Sequence, residues 1–151
     1  MKNLKLIFLF IFLYGCGYTS IYKDLTNQDF AINIKNMEGD LEINNLIKNQ
    51  LKSASNTKSK NIHDINLTTE YKKIVTAKDT KGLATNYKIT LDVEFIILSK
   101  NNQKLKYTES INIENETESF EQSNYEKNIK RNFVISIKNK LVLYLLKFND
   151  N

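Results

Sequence analysis

This chain has few of the residues from which catalytic sites, metal sites or covalent cross-links are built. Its 151 residues include one cysteine, one histidine, four glycines and no proline or tryptophan. One cysteine cannot form an intramolecular disulfide, and a zinc site usually needs several cysteine or histidine ligands. Four scattered glycines do not make a glycine-rich phosphate-binding loop. We therefore expect no enzyme, no metal and no cofactor, and a domain that depends on its packed core for stability.

The few candidate catalytic or metal-binding side chains have structural explanations. His63 is followed by Asp64, and on a strand two neighbours point to opposite faces, so the pair does not suggest a catalytic triad. An acidic stretch consists of Glu114, Glu116, Glu118 and Glu121. Because it lacks EF-hand spacing, it favours a solvated loop and an acidic helix start over a calcium site.

The charge of the chain is positive but dispersed. The formal net charge is +5 at neutral pH, and Arg131 is the single arginine among 22 basic residues. Proteins that bind nucleic acids usually use arginine forks and clustered basic faces. We therefore expect no nucleic-acid partner.

The first sixteen residues resemble the signal of a bacterial lipoprotein. Two lysines precede an apolar run over residues 6–13, and the small Gly15 stands directly before Cys16. A basic start, a short apolar stretch and a small residue before the cut are the parts of a secretory signal. A membrane-spanning helix needs roughly 20 apolar residues, and a buried helix would not explain this order. We expect residues 1–15 to be removed and Cys16 to carry a lipid anchor.

The lipoprotein pattern also predicts a location. Lipoproteins of this type carry three acyl chains, and stable anchoring needs more than one. Gly17 follows the cysteine, whereas an aspartate at this place typically retains lipoproteins in the inner membrane. The resemblance therefore implies an outer-membrane lipoprotein that faces the periplasm. Residues 16–28 would form a lipidated tether, and residues 29–151 a single domain.

Periodic apolar residues predict the first elements of this domain. Phe30, Ile32 and Ile34 alternate with other residues as in a half-buried strand, and Asp40 is a suitable N-cap for a helix over residues 41–55. Three further strands follow, the first over about residues 62–77. Their alternating residues are Ile65, Leu67, Thr69 and Tyr71, then Tyr87, Ile89, Leu91, Val93, Phe95 and Ile97, and finally Leu105, Tyr107, Ile111 and Ile113.

A long second helix is predicted after the last strand, starting at a capping box of Ser123 and Glu126. Its residues Tyr125, Ile129, Phe133, Ile137, Leu141 and Leu145 recur every fourth position. The end of this helix is apolar all round, so Val142, Leu146 and Phe148 either fold back on the first helix or contact a partner. The order β-α-β-β-β-α predicts an α+β two-layer sandwich, a four-stranded, mostly antiparallel sheet covered on one face by two helices.

Short motifs along the chain stand in the same order as in a known family. They are Cys16-Gly17-Tyr18 and Tyr22, then Leu46, Lys48-Asn49 and Leu51 in the first helix, Ala84-Thr85-Asn86 before the longest alternating run, and Tyr125, Arg131, Ile137 and Leu141 in the last helix. With these motifs the chain resembles the lipopolysaccharide (LPS)-assembly lipoproteins, the LptE-like family. The family commonly has arginine where this chain has Asn86, and often a proline before the position of Tyr22.

The resemblance implies a role in assembly and transport, without covalent chemistry. Members of this family plug the LPS-assembly β-barrel LptD, help it fold and bind LPS on its way to the cell surface. The expected partners are an LptD-like barrel, LPS and, through the lipid anchor, the outer membrane. The alternative is a free-standing structural or scaffold lipoprotein of related fold that has no lipid ligand.

Five lysines gather around the predicted turn between the second and third strands. They are Lys72, Lys73, Lys78, Lys81 and Lys88. Such a cluster is typical of the solvated end of a sheet. In a protein that binds LPS, the same ammonium groups would pair with the phosphates of lipid A. The sequence leaves both interpretations open.

Overall fold

The computed structural model describes residues 30–99, 101–116 and 118–149, in which the chain forms four strands and two helices. The elements are β1 (Ala31–Gly39), α1 (Leu41–Ser53), β2 (Ile62–Lys78), β3 (Ala84–Ile97), β4 (Gln103–Glu114) and α2 (Ser119–Asn149). This is the predicted order of elements. The predicted signal peptide, the lipidated Cys16 and the tether over residues 16–28 lie outside the described residues.

The strands form one sheet in the order β1-β2-β3-β4. β2, β3 and β4 are joined by hairpins and pair antiparallel. β1 pairs parallel to β2 because α1 carries the chain back to the beginning of the sheet before β2 starts. Both helices pack on the same face of the sheet. The predicted α+β two-layer fold is confirmed.

The core lies between the sheet and the two helices. In β3 every second residue from Ile89 to Ile97 is buried. The helices contribute Ile43, Ile47 and Leu51 from α1, and Ile129, Phe133, Val134, Ile137, Leu141, Val142 and Leu145 from α2. The predicted alternation in β3 is therefore confirmed. The predicted face of α2 is also confirmed, except at Tyr125, which is 41% exposed.

The chain turns from β1 into α1 at two residues with definite roles. Gly39 has a φ of +98°, and a Cβ at this position would lie 1.8 Å from the carbonyl oxygen of Thr69. Glycine is therefore required for this close approach of β1 to β2. Asp40 caps α1 as predicted, because its Oδ1 accepts a hydrogen bond from the backbone N–H of Ile43 at 2.9 Å.

A small buried polar cluster ties α1 to β2. The hydroxyl of Thr69 donates to Oδ1 of Asn44 at 2.9 Å and accepts from the backbone N–H of Asp40 at 3.1 Å. Nδ2 of Asn44 donates to the carbonyl oxygen of Glu38 at 3.2 Å. These bonds satisfy two buried polar side chains inside the apolar core. They explain why a threonine occupies a core-facing position of β2.

The start of α2 differs from the prediction. The helix begins at Ser119, so Ser123 lies inside it and does not cap it. The side-chain oxygen of Gln122 instead accepts a hydrogen bond from the backbone N–H of Glu116 at 2.8 Å. Glu126 accepts from Nε2 of Gln122 at 2.6 Å. The capping-box prediction was wrong because Gln122, not Ser123, bonds the backbone at the entrance to the helix.

His63 has a packing role and lies apart from its neighbour Asp64. It is 8% exposed, and its ring meets the ring of Phe30 edge-on, with 5.9 Å between the ring centroids. Asp64 accepts a hydrogen bond from Asn33 at 2.7 Å and forms an ion pair with Lys35 at 3.2 Å. The prediction that the two neighbours point to opposite faces is consistent with this arrangement.

Candidate functional site

The β2–β3 hairpin extends beyond β1, and only its turn region extends beyond β4 as well. β1 pairs with β2 as far as Thr69, and β4 pairs with β3 from Asn86 onward. All residues from 72 to 83 are exposed. We call residues 72–88 the distal hairpin. It contains all five lysines of the predicted cluster.

A braced turn closes the distal hairpin. The backbone N–H of Gly82 donates to the carbonyl of Asp79 at 3.0 Å, and Gly82 has a φ of +83°. Oδ1 of Asp79 accepts from the backbone N–H groups of Lys81 at 2.9 Å and Leu83 at 2.8 Å. A short loop with a residue at positive φ is a common hairpin connection. These bonds fix the path of the backbone that carries Lys78 and Lys81.

Lys73 contacts a helix and is set apart from the other lysines of the cluster. Its Nζ lies 2.5 Å from Oε1 of Glu126 in α2 and 4.0 Å from the centroid of the Tyr87 ring. Burial by itself raises the pKa of Glu126, but hydrogen bonds from Lys73 and Gln122 hold this pKa below its ordinary value. Lys73 therefore joins the hairpin to α2 through the ion pair with Glu126, while its cation–π contact with Tyr87 lies within the hairpin.

Lys130 makes a similar pair of contacts beside Lys73. Its Nζ lies 4.7 Å from the centroid of the Tyr71 ring and 2.5 Å from Oε2 of Glu42 in α1. Burial, with smaller effects of Glu126, Glu42 and Asp40, raises the pKa of Tyr71 to about 12. The phenol of Tyr71 is therefore neutral at physiological pH. Together, the two lysines link both helices to β2 at the base of the distal hairpin.

The other four lysines are exposed on the distal hairpin. Lys72 and Lys88 lie on the face of the ribbon opposite the helices, and Lys72 forms an ion pair with Glu70 at 2.7 Å. Within the described residues, Lys78, Lys81 and Lys88 form no ion pair. The structure thus leaves four of the predicted lysines exposed along the hairpin and gives Lys73 a structural contact.

Exposed apolar side chains accompany these lysines, and the alternation described above did not predict them. Ile74 is 55%, Val75 42% and Leu83 64% exposed. Ile74 pairs with Lys88, while Val75 pairs with Tyr87, so the two apolar side chains lie on opposite faces of the ribbon. Two adjacent apolar residues interrupt the strict alternation of a half-buried strand. That interruption was the signal that could have revealed an uncovered strand end.

The predicted partner residues near the end of α2 divide between core and undescribed positions. Val142 is 1% exposed and Leu146 packs partly buried against the core. Val142 therefore packs in the core and offers no surface to a partner. The side chain of Phe148 lies outside the described residues, as does Cys16.

Metal and membrane-spanning features can be judged only within the described ranges. In residues 30–99, 101–116 and 118–149, no three histidine, cysteine, aspartate or glutamate side chains come together as a metal site. In the same ranges, neither helix combines the length and the apolarity that crossing a bilayer requires. Glu114, Glu116, Glu118 and Glu121 are all exposed.

Comparison with known proteins identifies the fold. No protein-family profile and no curated protein sequence matches the chain. Among solved structures, rare lipoprotein B from Shewanella oneidensis is similar, with a TM-score of 0.58 and 13% identity over 80% of this chain and 95% of that one. A putative lipoprotein from Caulobacter crescentus has a TM-score of 0.55 and 11% identity over 76% of this chain and 89% of that one. The chain therefore has a fold that is also found in bacterial proteins named as lipoproteins.

Proposed function

We propose that this chain is an outer-membrane lipoprotein that plugs the LPS-assembly β-barrel LptD and assists LPS transport to the cell surface. One observation carries the proposal: the fold is shared over 95% of a protein named rare lipoprotein B. The lipoprotein pattern before Cys16 supports the same proposal. In the proposed function, Cys16 holds the protein to the periplasmic face of the outer membrane.

The shape and surface of the domain suit a position inside a barrel. The lumen of an outer-membrane barrel is polar. The face of the sheet opposite the helices is also polar, and it includes Thr68, Glu70, Asp92, Glu94, Lys106 and Thr108. Ion pairs join several of these side chains, for example Glu94 with Lys104 at 2.7 Å and Lys106 at 3.4 Å. β2 alone, with 17 residues, is roughly 55 Å long at the usual rise per residue.

The distal hairpin is the proposed contact for LPS. Lys72, Lys78, Lys81 and Lys88 present exposed ammonium groups, which pair with phosphate as point charges. Because Lys73 is engaged by Glu126 and Tyr87, we assign it to holding the hairpin in place. The proposed site therefore consists of four of the five lysines in the original cluster.

Site-specific photo-crosslinking in intact outer membranes tests the plug. We expect a crosslinker at Thr68, on the open face of the sheet, and one at Leu143, on the exposed side of α2, to reach the same barrel. A crosslinker at the fully buried Ile137 is the matched control and should capture nothing. A plug is surrounded by its barrel, so both exposed positions must give the product. Recovery of a lone monomer, in cells that make the barrel, would favour the free-standing scaffold.

A separate experiment tests the anchor. Cys16→Ser removes the only thiol of the chain. We expect this variant to remain uncleaved or to be released from the membrane, because lipid attachment needs the cysteine. Mass spectrometry of the membrane-extracted parent protein should find a lipid-modified Cys16 at the new N-terminus. An unmodified Cys16 in mature protein would contradict the lipoprotein assignment.

A further inference from the structure

Two exposed faces of the domain differ in charge. The face of the sheet opposite the helices, which we call the open face, carries Glu70, Lys72, Asp92, Glu94, Lys104 and Lys106. The side of α2 that points away from the sheet carries a row of uncharged residues, which we call the outer stripe: Tyr125, Asn128, Asn132, Ile135, Asn139 and Leu143. Asn139 is partly exposed and the other five are exposed. Because these residues recur at spacings of three or four, they lie along one side of the helix.

The charged residues of α2 lie beside the outer stripe or turn back to the domain. Lys130 pairs with Glu42 in α1, and Lys140 pairs with Glu109 in β4 at 2.7 Å. Further basic residues form one flank of the stripe: Lys127, Arg131 and Lys138. Protein–protein interfaces have a centre that is depleted of charged residues and a polar rim. The outer stripe and its flank have this composition.

The two faces also differ in the cost of losing their water. On the open face, Glu94 forms ion pairs with Lys104 at 2.7 Å and Lys106 at 3.4 Å, and both lysines are exposed. Taking such charges out of water is expensive even when they are paired. A neutral amide costs less to bury, provided that it finds a hydrogen-bond partner. The outer stripe is therefore the face that a partner can dehydrate more easily.

The composition and size of the outer stripe select its partner. Three of its six side chains are asparagine amides, which would lack hydrogen bonds among acyl chains. The stripe covers roughly 270 Å² for a helix segment of this length and width, whereas a stable interface buries about 800 Å² on each protein. A second copy of this chain held by the stripe alone would bind too weakly. The partner that fits is a polar protein surface that also contacts the domain elsewhere.

We propose that the outer stripe packs directly against the inner wall of the barrel, whereas the open face of the sheet stays hydrated. This inference rests on the proposed function for the identity of the partner, and it adds which side of the plug is dry. A surrounding barrel supplies the additional contact area, and its polar lumen offers hydrogen-bond partners to the three asparagines. The charged residues of the open face keep their water and contact the wall through it.

Thiol labelling tests which face is dry. Asn132→Cys reports on the outer stripe, and Thr68→Cys, at another exposed residue, is the matched control on the open face. We expect a water-soluble maleimide to label Asn132→Cys at least tenfold more slowly in outer membranes than in the chain purified alone in detergent. Thr68→Cys should react at similar rates in both. The parent chain measures any labelling at Cys16, its one natural cysteine.

Added charge tests the same contact through assembly. One double variant, Asn128→Lys with Asn132→Lys, places two charges on the outer stripe, and its matched control, Thr68→Lys with Ser110→Lys, places two on the open face. All four positions are exposed. We expect the first variant to co-purify at least tenfold less barrel, because an unpaired charge is costly to bury, and the second to co-purify as much as the parent. Both variants, purified alone, should melt at the temperature of the parent, because exposed substitutions change stability little.

Two results would overturn the proposal. The first is equal protection of Asn132→Cys and Thr68→Cys in outer membranes, which would mean that the two faces are equally hydrated. The second is full recovery of the barrel with the Asn128→Lys and Asn132→Lys variant. If that variant melts early, the labelling result decides alone. If crosslinkers at Thr68 and Leu143 still capture the barrel, the proposed function stands and only the orientation fails, whereas failure of these crosslinks overturns the proposed function itself.

Discussion

The two halves of β2 lie in different environments although they form one continuous strand. From His63 to Thr69 alternate residues are buried, and the strand has a partner on each side. From Lys72 to Lys78 every residue is exposed, and β3 is the single strand partner among the described residues. The first half therefore contributes to folding, and the second carries the proposed contacts. Substitutions in the first half should therefore lower the stability of the fold, whereas substitutions in the second half should weaken the proposed contacts.

The boundary between the halves is built from specific contacts. β1 leaves the sheet at Gly39, opposite Thr69. Immediately beyond this point, Lys130 packs on Tyr71 and Lys73 pairs with Glu126. These contacts give the distal half a firm base without covering it. The distal half of β2 therefore keeps a definite direction although β1 no longer pairs with it.

Truncating a leucine should show the largest difference between the two regions. Leu91 in β3 is 0% exposed, whereas Leu83 at the turn is 64% exposed. We expect Leu91→Ala to lower the free energy of unfolding by about 3 kcal/mol, because it leaves a cavity in the core. Leu83→Ala should change it by less than about 0.5 kcal/mol. Denaturant unfolding measures both values. Similar losses of unfolding free energy at the two positions would contradict the division into a folding core and an exposed hairpin.

The two glycines with positive φ provide a second matched pair. Gly39→Ala combines a φ of +98° with a backbone contact of 1.8 Å. We expect it to lower the free energy of unfolding by roughly 3 kcal/mol, at the upper end for strained backbone conformations. Gly82→Ala has a φ of +83° in open space, and it should cost roughly 1 kcal/mol. Equal melting temperatures for the two variants would show that β1 and β2 do not approach as closely as described.

The ion pair at the boundary should make a small, pH-dependent contribution. The pKa of Glu126 is held below its ordinary value of 4.5. A lowered carboxyl pKa stabilises the fold above the ordinary value, and this stabilisation is lost as the pH falls through the lowered value. At pH 7 we expect Glu126→Gln to cost about 0.5–1 kcal/mol, as for a partly exposed pair.

The control for the ion pair is Glu70→Gln, which removes the exposed partner of Lys72. Its effect on unfolding at pH 7 should be close to zero. Urea unfolding from pH 7 down to pH 3 should show the difference between Glu126→Gln and the parent shrinking below pH 4.5. If the difference in unfolding free energy between Glu126→Gln and the parent grew on acidification, its pH dependence would have the opposite sign. That result would contradict the stabilising role of the Lys73–Glu126 pair.

Charge reversal at three exposed lysines of the distal hairpin should leave the free energy of unfolding almost unchanged. We expect Lys78→Glu, Lys81→Glu and Lys88→Glu together to alter the free energy of unfolding by less than about 0.5 kcal/mol, because exposed positions contribute little. The same change should weaken LPS binding. Binding by the parent should weaken with added salt, because the Debye length is about 8 Å at physiological ionic strength. If the charge-reversed variant binds LPS as well as the parent across a salt titration, the lysines only form the solvated end of the sheet and do not bind LPS.

The sequence predicted those structural features whose causes lie within a few residues of the chain. The alternation from Ile89 to Ile97 and the N-cap at Asp40 are local, and both were predicted. Ser123 matched a capping motif, but Gln122 bonds Glu116 at the actual entrance to the helix. That position depends on how the chain leaves β4. The motif could not reveal it.

The candidate site was predicted in part for the same reason. The five lysines were visible as a cluster, but the partner of Lys73 in α2 is 53 residues away in the sequence. The exposure of Val75 depends on where the helices stop covering the sheet, which is a tertiary property, whereas Ile74 lies on the face opposite the helices. Sequence patterns located the hairpin, whereas the division of its lysines required the packing of α2.

Hydrogen exchange of the full chain, with and without LPS, tests the separation of the two regions most directly. Exchange rates report local opening, residue by residue. We predict that LPS slows exchange at backbone amides in residues 72–88 and leaves the core amides from Ile89 to Ile97 unchanged. Protection that appears in the core strands, with no change in the distal hairpin, would contradict the account.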